Sequence, residues 1–403
     1  MDANILFSKA LGLGDAWKVI KSEMNVEQRQ LRLWLDFERG LQFACPQCGA
    51  WCPVHDTAEK NWRHLDFWQH QTELIARVPR VKCEEHGVLQ TTVPWARPGS
   101  GFTLMMEAMI LLLCQQMTVS AVAEHLGEND TRVWRILDHY VMAAHRQKSW
   151  AQVTRIMVDE TSARRGHRYV TVILDADSHD LLMMIEGRSA EALVEFAAAM
   201  PAHQASPGQI THVVMDMSPA YIAGAGKIFP QARVVFDCFH VMKLAGEALD
   251  EVRKTLRRDG AEMTGALWAL RGNEWTRSDA QQNLRRELCK TYPKLGRAMG
   301  LRESLQDVLG DKEIDALHWW MGWANRSRLE PFRKLARTIK NHLDGIVAYM
   351  ETGLTNAAIE AVNGILQMAK RMAKGFRSFH YFRLAAYLKA GRLNIDGLHF
   401  SPT

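Results

Sequence analysis

Two pairs of soft ligands and three carboxylates are the side chains of this 403-residue chain whose types and spacing could do chemistry. Cys45-x-x-Cys48 and Cys83-x-x-His86 each leave the two-residue gap with which a tight knuckle aims two side chains at one ion. Four thiolate or imidazole ligands close a tetrahedral zinc site, and Pro46 and Gly49 suit the turn. Some 34 residues part the pairs, so the Zn2+ site would pin a small β subdomain rather than a short finger. Cys52, His55 and His64 lie close enough in sequence to compete as ligands. Asp159 and Asp216 each close an apolar run that reads as a strand, and open α/β sheets place their ligand crevice beyond such strand ends. Glu160 is a rival for Asp159, although strand alternation sends the two to opposite faces.

The third carboxylate is isolated. Between Glu351 and Asp396 the only acid is Glu360, and from Arg326 onward thirteen Lys and Arg face five Asp and Glu, a surplus larger than the whole chain's +5. With a helix begun near Thr355, Ile359, Val362, Leu366, Ala369 and Ala373 form an apolar stripe, and Glu360, Asn363, Gln367, Lys370, Arg371 and Lys374 fall on the polar side. Hard divalent cations want oxygen ligands, and two of them about 4 Å apart can activate an attacking hydroxyl and stabilise a leaving oxygen in phosphodiester cleavage. Asp159, Asp216 and Glu360 are therefore expected to hold Mg2+ (or Mn2+). The cations that follow, Lys370, Arg371, Lys374 and Arg377, are expected to hold the phosphates of double-stranded DNA that the carboxylates alone would repel.

The elements that must position these groups fall into segments. From 103 to 148 a helical period runs throughout, and MTVSAVAEHLGENDTRVWRILDHYV looks like a helix-turn-helix: Ser120 to Leu126, a turn at Gly127, then Thr131 to Tyr140. Asp130 or Thr131 would cap the second helix and leave Arg132 and Arg135 on its exposed side to read DNA. From Ala151 the order is three strands with a polar turn SARRGHR, then helix, strand, helix and strand, the last being ARVVFDCFH. From Val241 to about Ala348 the pattern is helical, interrupted at RRDG, RGNEW, TYPKLG and LGDK, with Trp319, Trp320 and Trp323 as core packing.

Composition is that of a globular chain, 47% hydrophobic and 24% charged. An odd number of cysteines argues against a disulfide framework, and the longest apolar stretch is too short to span a bilayer. No membrane association is expected. The start lacks the pattern of a signal peptide, so a soluble cytoplasmic protein associated with the nucleoid is expected.

CPQCG, WRHLDF, RVKCEEHGV, VDETSARRGHRYVTVILD, VVMDMSPAY, FPQARVVFDCFHVMK and TNAAIEAVNGILQMAKRMAKGFRSF together resemble the bacterial insertion-sequence transposases of the DDE class, the ISL-three group. The resemblance implies an α/β ribonuclease H-like catalytic domain interrupted by an all-helical insertion, preceded by a zinc-binding β subdomain and a helix-turn-helix. On this chain that gives a zinc domain at 1–100, the helix-turn-helix at 101–150, the catalytic core at 151–240 and 351–403, and the insertion at 241–350. It implies that Asp159, Asp216 and Glu360 are the DDE triad, with Asp237, His240 and Asn363 supporting them, and that Cys45, Cys48, Cys83 and His86 hold zinc. It also implies recognition of an element's terminal inverted repeats, cleavage, joining of 3′ hydroxyls to target DNA, and at least a dimer on DNA. The rivals are a DNA-binding regulator without chemistry and a structure-selective nuclease of the same fold.

Overall fold

The structure, a computed structural model, describes residues 2–164, 166, 168–271 and 277–394. Most of the expected interruption RGNEW, together with Arg165 and His167 of the polar turn and the tail from 395, lies outside the described residues. The described residues form two compact units, one of residues 2–145 together with Leu393 and Asn394, the other Arg146–Arg392.

The first unit opens with α1 (Ala3–Ala10) and continues as β1 (Trp17–Asn25), β2 (Gln30–Phe37), β3 (Gln42–Ala44), β4 (Trp51–Phe67), β5 (His70–Cys83) and β6 (Gly87–Gln90). These make one six-stranded sheet in the order β1-β2-β5-β4-β3, with β6 added to β5. The sheet is larger than the sequence led us to expect: β2 alternates, with Leu31, Leu33 and Leu35 on its buried face, but β1 and the first half of β4 carry no long regular alternation. Their burial is set by the layer they pack against: Leu31, Leu33 and Leu35 of β2 meet Trp62, Leu74, Ala76 and Val78 of the β4–β5 hairpin, with Trp17 and Trp95. Each of the leucines and Val78 contributes roughly 1.5–3 kcal/mol on burial.

Three helices follow, α2 (Leu104–Gln116), α3 (Val119–Leu126) and α4 (Asp130–Gln147). Thr103 and Thr118 cap the first two, and Gly127, at φ 66°, ends α3 in the left-handed conformation that a side chain would strain. Neither Asp130 nor Thr131 caps α4: Asn129 does, its Oδ1 accepting from the Thr131 amide at 2.8 Å. The helix also runs on to Gln147 instead of ending at Tyr140. A fully buried carboxylate ties these helices together, Glu107 accepting from Arg97 Nε at 3.0 Å, Ser100 Oγ at 2.6 Å and the Tyr140 hydroxyl at 2.6 Å.

The second unit is built on β7 (Arg155–Arg164), β8 (Arg168–Asp175) and β9 (Leu181–Glu186), then α5 (Ala190–Ala199), β10 (His212–Met215), α6 (Pro219–Ile228) and β11 (Arg233–Phe236). The element order expected from the sequence is the one present. The sheet order is β11-β10-β7-β8-β9: β7 to β9 form an antiparallel meander, and β10 and β11 add parallel to β7. Parallel neighbours need crossovers, which α5 and α6 supply. The last strand stops at Phe236, one residue short of the expected end at Asp237, because Asp237 opens α7 (Cys238–Arg258).

A run of helices follows: α8 (Ala266–Leu270), α9 (Asp279–Thr291), α10 (Pro293–Asp311), α11 (Ile314–Arg326), α12 (Glu330–Asn341) and α13 (Leu343–Thr352). Helices α10 and α12 pack on α7, whereas α13 returns to the sheet beside β11. Of the three tryptophans expected in the core, Trp320 is fully buried and donates to the Leu301 carbonyl at 2.8 Å. Trp319 is 60% exposed, because neighbours on a helix point about 100° apart and cannot both face inward. The unit closes with α14 (Ala357–Met372) on β7 and β8, and α15 (Phe379–Ala390) on β9.

Candidate functional site

The Cys/His pairs sit at the tips of two hairpins. Between β3 and β4 the chain turns through Cys45 to Ala50, with the Gly49 amide donating to the Cys45 carbonyl at 2.9 Å; between β5 and β6, Cys83 pairs with Gly87. The four ligand atoms of Cys45, Cys48, Cys83 and His86 lie within 4.8 Å of one another. Cys48 Sγ is 3.7 Å from Cys83 Sγ, and His86 Nδ1 is 3.6 Å from Cys83 Sγ and 3.9 Å from Cys45 Sγ. A tetrahedron with metal–sulfur bonds of about 2.3 Å has edges of about 3.8 Å, so these spacings fit zinc. The His86 imidazole also pulls the Cys83 thiol down to about 6, toward the thiolate that ligation requires. The three rival ligands are otherwise placed. Cys52 donates to the Ala50 carbonyl at 3.3 Å, His55 is exposed on β4, and His64 bonds Thr103 at 2.8 Å, with burial holding its pKa at about 4.

The carboxylates converge in the second unit. Strand β10 pairs with β7 as far as Val214 opposite Met157, and β11 with β10 as far as Phe236 opposite Met215. Carried past those ends, the register brings Asp159, Asp216 and Asp237 to one level across three adjoining strands. Asp159 is not at the end of its own strand, as expected, because β7 runs on to Arg164 in its pairing with β8; it stands level with the end of β10 instead. Burial raises the Asp159 pKa, and the negative charges of Asp216 and Glu360 raise it further, against the Glu160 amide and His240. His240, on the first turn of α7, has Nδ1 3.6 Å from Asp237 Oδ2; Asp237 raises its pKa against the opposing effect of burial, with Asp216 and Asp159 adding to the rise. Glu160 takes the other face of β7. Its cross-strand partner Thr171 bonds the Tyr221 hydroxyl at 2.7 Å, and burial raises the Glu160 pKa there.

Glu360 arrives on a helix fastened side chain by side chain to β7. Asn363 Nδ2 donates to Asp159 Oδ2 at 2.8 Å, Gln367 Nε2 to Thr161 Oγ1 at 2.7 Å and to the Ser162 carbonyl at 2.8 Å, and Lys370 Nζ to the same carbonyl at 2.5 Å. Four helical residues rise about 6 Å and two strand residues about 6.6 Å, so the ladder keeps step. The expected apolar stripe is buried at Ile359, Val362, Leu366 and Ala369, and Glu360 is exposed. No signal in the sequence marked Gln367 as part of this ladder, because its partners lie some 200 residues away.

The expected DNA-facing cations divide. Arg371, Lys374 and Arg377 are exposed, as is Arg135 on α4. Lys370 is half-buried and bonded to Ser162, and burial lowers its pKa. Arg132 keeps 40% of its side chain exposed, as expected, but it is engaged locally: its guanidinium lies 4.1 Å from the centre of the Phe102 ring and donates to Glu128 at 2.5 Å and to the Gly101 carbonyl at 3.3 Å. The acid four residues before it, Glu128, was the signal that could have placed it.

A zinc-fitting double hairpin, a capped helix-turn-helix and a mixed sheet carrying converging carboxylates define an α/β DNA-processing enzyme, and comparison with known proteins gives its class as a DDE transposase. A transposase family model of the ISL3 group matches residues 156–386, the helix-turn-helix domain of transposase family ISL3 matches 91–141, and the zinc-finger of transposase IS204/IS1001/IS1096/IS1165 matches 42–86. The chain is 32% identical over 400 residues to the transposase for insertion sequence element IS1557 of Mycobacterium tuberculosis, covering 89% of this chain and 88% of that protein. It is 29% identical over 355 residues to the transposase for insertion sequence element IS1001 of Bordetella parapertussis, covering 84% and 87%. The chain belongs to the ISL3 family of transposases. No described helix is long and apolar enough to cross a membrane.

Proposed function

We propose that this transposase binds the terminal inverted repeats of its own insertion sequence, cleaves the DNA at the ends, and joins the 3′ hydroxyls to target DNA in one site of ribonuclease H-like fold. The observation that carries the reading is geometric: strand register sets Asp216 level with Asp159, and the helix that bears Glu360, some 200 residues away in sequence, is fastened to Asp159 by Asn363 at 2.8 Å. The sheet order, with two parallel strands added to an antiparallel meander, supports the fold. The helices between β11 and α14 read as the insertion, whose last member, α13, leans back on the sheet, so that the boundary near 350 falls after it.

Asp159, Asp216 and Glu360 hold the divalent cations, Mg2+ or Mn2+. The residues fit the group: they offer hard oxygen donors whose mutual repulsion a cation relieves. Among the described residues the only set of His, Cys and acidic ligand atoms drawn tightly together is the Cys/His one; at the carboxylates, Mg2+ would take few protein ligands and complete its shell with substrate phosphate. When bound, the ions supply the activation of water or a 3′ hydroxyl and the stabilisation of the leaving oxygen. Asn363 orients the Asp159 carboxylate by donating to Oδ2, leaving Oδ1 for the site. His240, held beside Asp237, flanks the row and tempers its negative charge. Arg371, Lys374 and Arg377 hold backbone phosphates next to the reacting bond. Lys370 acts from the side, fixing the helix on β7. Arg135 contacts the ends from α4, while Arg132 sets the start of that helix. Zinc on Cys45, Cys48, Cys83 and His86 locks the double hairpin, and synapsis of two ends requires at least a dimer on DNA.

The test is cleavage and strand transfer on DNA carrying the element's ends, with Mg2+, comparing the native chain with Glu360→Gln. The native chain is expected to cut and join, and the variant to bind the same ends and do neither. Equal reaction by the variant would remove Glu360 from the site, and cutting without joining would turn the reading into a nuclease.

A further inference from the structure

The second unit contains a cleft, about 360 Å³ in volume, between α7, α8 and α10, away from the carboxylate row. Five cations line it, Lys243, Arg253, Lys254, Arg271 and Arg302, against Glu247 and Asp250. Arg253 and Lys254 are committed to Asp250, at 2.8 and 2.9 Å. Arg302 is different. It is half-buried on α10, burial lowers its pKa, and its guanidinium makes no hydrogen bond or ion pair among the described residues; nor does the Lys243 ammonium. A guanidinium partly withdrawn from water without a partner loses solvation that a bound anion restores, and its planar fork suits phosphate.

The position of the cleft supplies the ligand. Helix α7 is continuous from Cys238 to Arg258. On one of its faces His240, Lys243, Glu247, Asp250 and Lys254 follow one another at three- and four-residue steps. At 1.5 Å per residue, Lys243 is about 4.5 Å and Lys254 about 21 Å along the axis from His240. Phosphates recur every 3.4 Å along one strand of a duplex, so this stretch matches about six nucleotides. We propose that the cleft between α7 and α10 is a second phosphate-binding track, in which Lys243 and Arg302 grip the DNA backbone within about six nucleotides of the reacting bond. This rests on the proposed catalytic role of the row beside His240. It gives the helical segment a role in holding DNA, separate from the cations of α14.

The test uses the full chain and two duplexes, one carrying the element's ends and one of random sequence. Binding is measured over a range of salt for the native protein, Lys243→Ala/Arg302→Ala and Arg302→Lys, with thermal melting to verify folding. The double variant is expected to lose about tenfold in affinity for both duplexes and to flatten the salt dependence by about two phosphate contacts, and Arg302→Lys to recover part of the loss. Neutral methylphosphonate linkages two to six nucleotides from the cleavage point should weaken the native protein and leave the folded double variant nearly unchanged. Unchanged affinity and salt slope in a folded double variant would overturn the track while leaving the cleavage reading intact. Methylphosphonates that weaken native and variant equally would overturn it as well. Failure of Glu360→Gln to abolish cleavage, with the track result positive, would instead overturn the placement of the reacting bond and not the cleft's affinity for DNA.

Discussion

Gly345 makes a test in which two physical effects have opposite signs. It lies in α13, where alanine is the better helix former by about 1 kcal/mol, so propensity alone predicts that Gly345→Ala stabilises. A methyl group there would sit 2.3 Å from Phe236 Cδ2, 2.5 Å from Cε2 and 3.0 Å from Cγ. Carbon atoms pack at about 3.5–4.0 Å, so ring or helix must move by more than about 1 Å. The ring has little room to move, being buried on β11 with the His342 ring 5.2 Å away on α13's approach. Overpacking costs about 1–3 kcal/mol, and so close an approach belongs at the upper end. The expected net loss is about 2 kcal/mol, seen as a fall in melting temperature of several degrees at roughly 3 °C per kcal/mol for a unit of this size. Because Phe236 precedes Asp237, DNA cleavage should fall beyond what the fraction folded explains. Gly364→Ala is the control: it is in the middle of α14 with nothing within 4 Å of the added carbon, and should gain up to about 1 kcal/mol. Differential scanning calorimetry of both variants decides. If Gly345→Ala melts as high as Gly364→Ala, the close packing of α13 on β11 is wrong.

Other expected outcomes follow from the sites. Gln367→Ala removes two hydrogen bonds to β7 at a cost of about 2 kcal/mol, and should lower the cleavage rate more than DNA affinity; an unchanged rate at saturating DNA would sever the ladder from catalysis. Asp159 has its pKa raised above the ordinary 3.8 by burial and neighbouring acids. Its folded form therefore favours the proton, stability is fully present below the unfolded value and is lost as pH rises through the folded one. Asp159→Asn should accordingly make the metal-free chain more stable at neutral pH, with the advantage disappearing as pH falls below the carboxylate range, as read from denaturant melts across pH. A constant advantage at all pH values would rule out the titration. Cys83→Ser should lower zinc content and the melting temperature of the first unit, and a chelator should do the same to the native chain but not further to the variant; equal zinc in both would exclude Cys83 as a ligand.

Much of this was legible in the sequence because it is local. Two-residue gaps between ligands at 45 and 48 and at 83 and 86 imply knuckles whatever else the chain does, and the apolar runs of β7 to β9 and the 3.6-residue stripe of α14 are patterns a few residues long. Local reading failed where a distant partner decides. Arg132 looked exposed on a helical wheel and is 40% exposed, but no local pattern told that Phe102 and Gly101 engage its guanidinium. Lys370 looked like one more solvent-facing cation, but its Nζ donates to the Ser162 carbonyl, 208 residues away in sequence. The capping of α4 was misread by one residue, since Asn129, Asp130 and Thr131 are all plausible caps and only the backbone geometry chooses among them.

By itself, then, the sequence determined the ligand spacings, the order of elements and the isolation of Glu360 among cations, because these depend on residue type and on periods a few residues long. Tertiary structure alone decided that Asp159, Asp216 and Asp237 share a level, that Asn363 reaches Asp159, and that Arg302 of α10 opens onto α7. Those relations are set by strand register and helix packing, in which the interacting groups are tens to hundreds of residues apart and nothing in the local pattern names the partner.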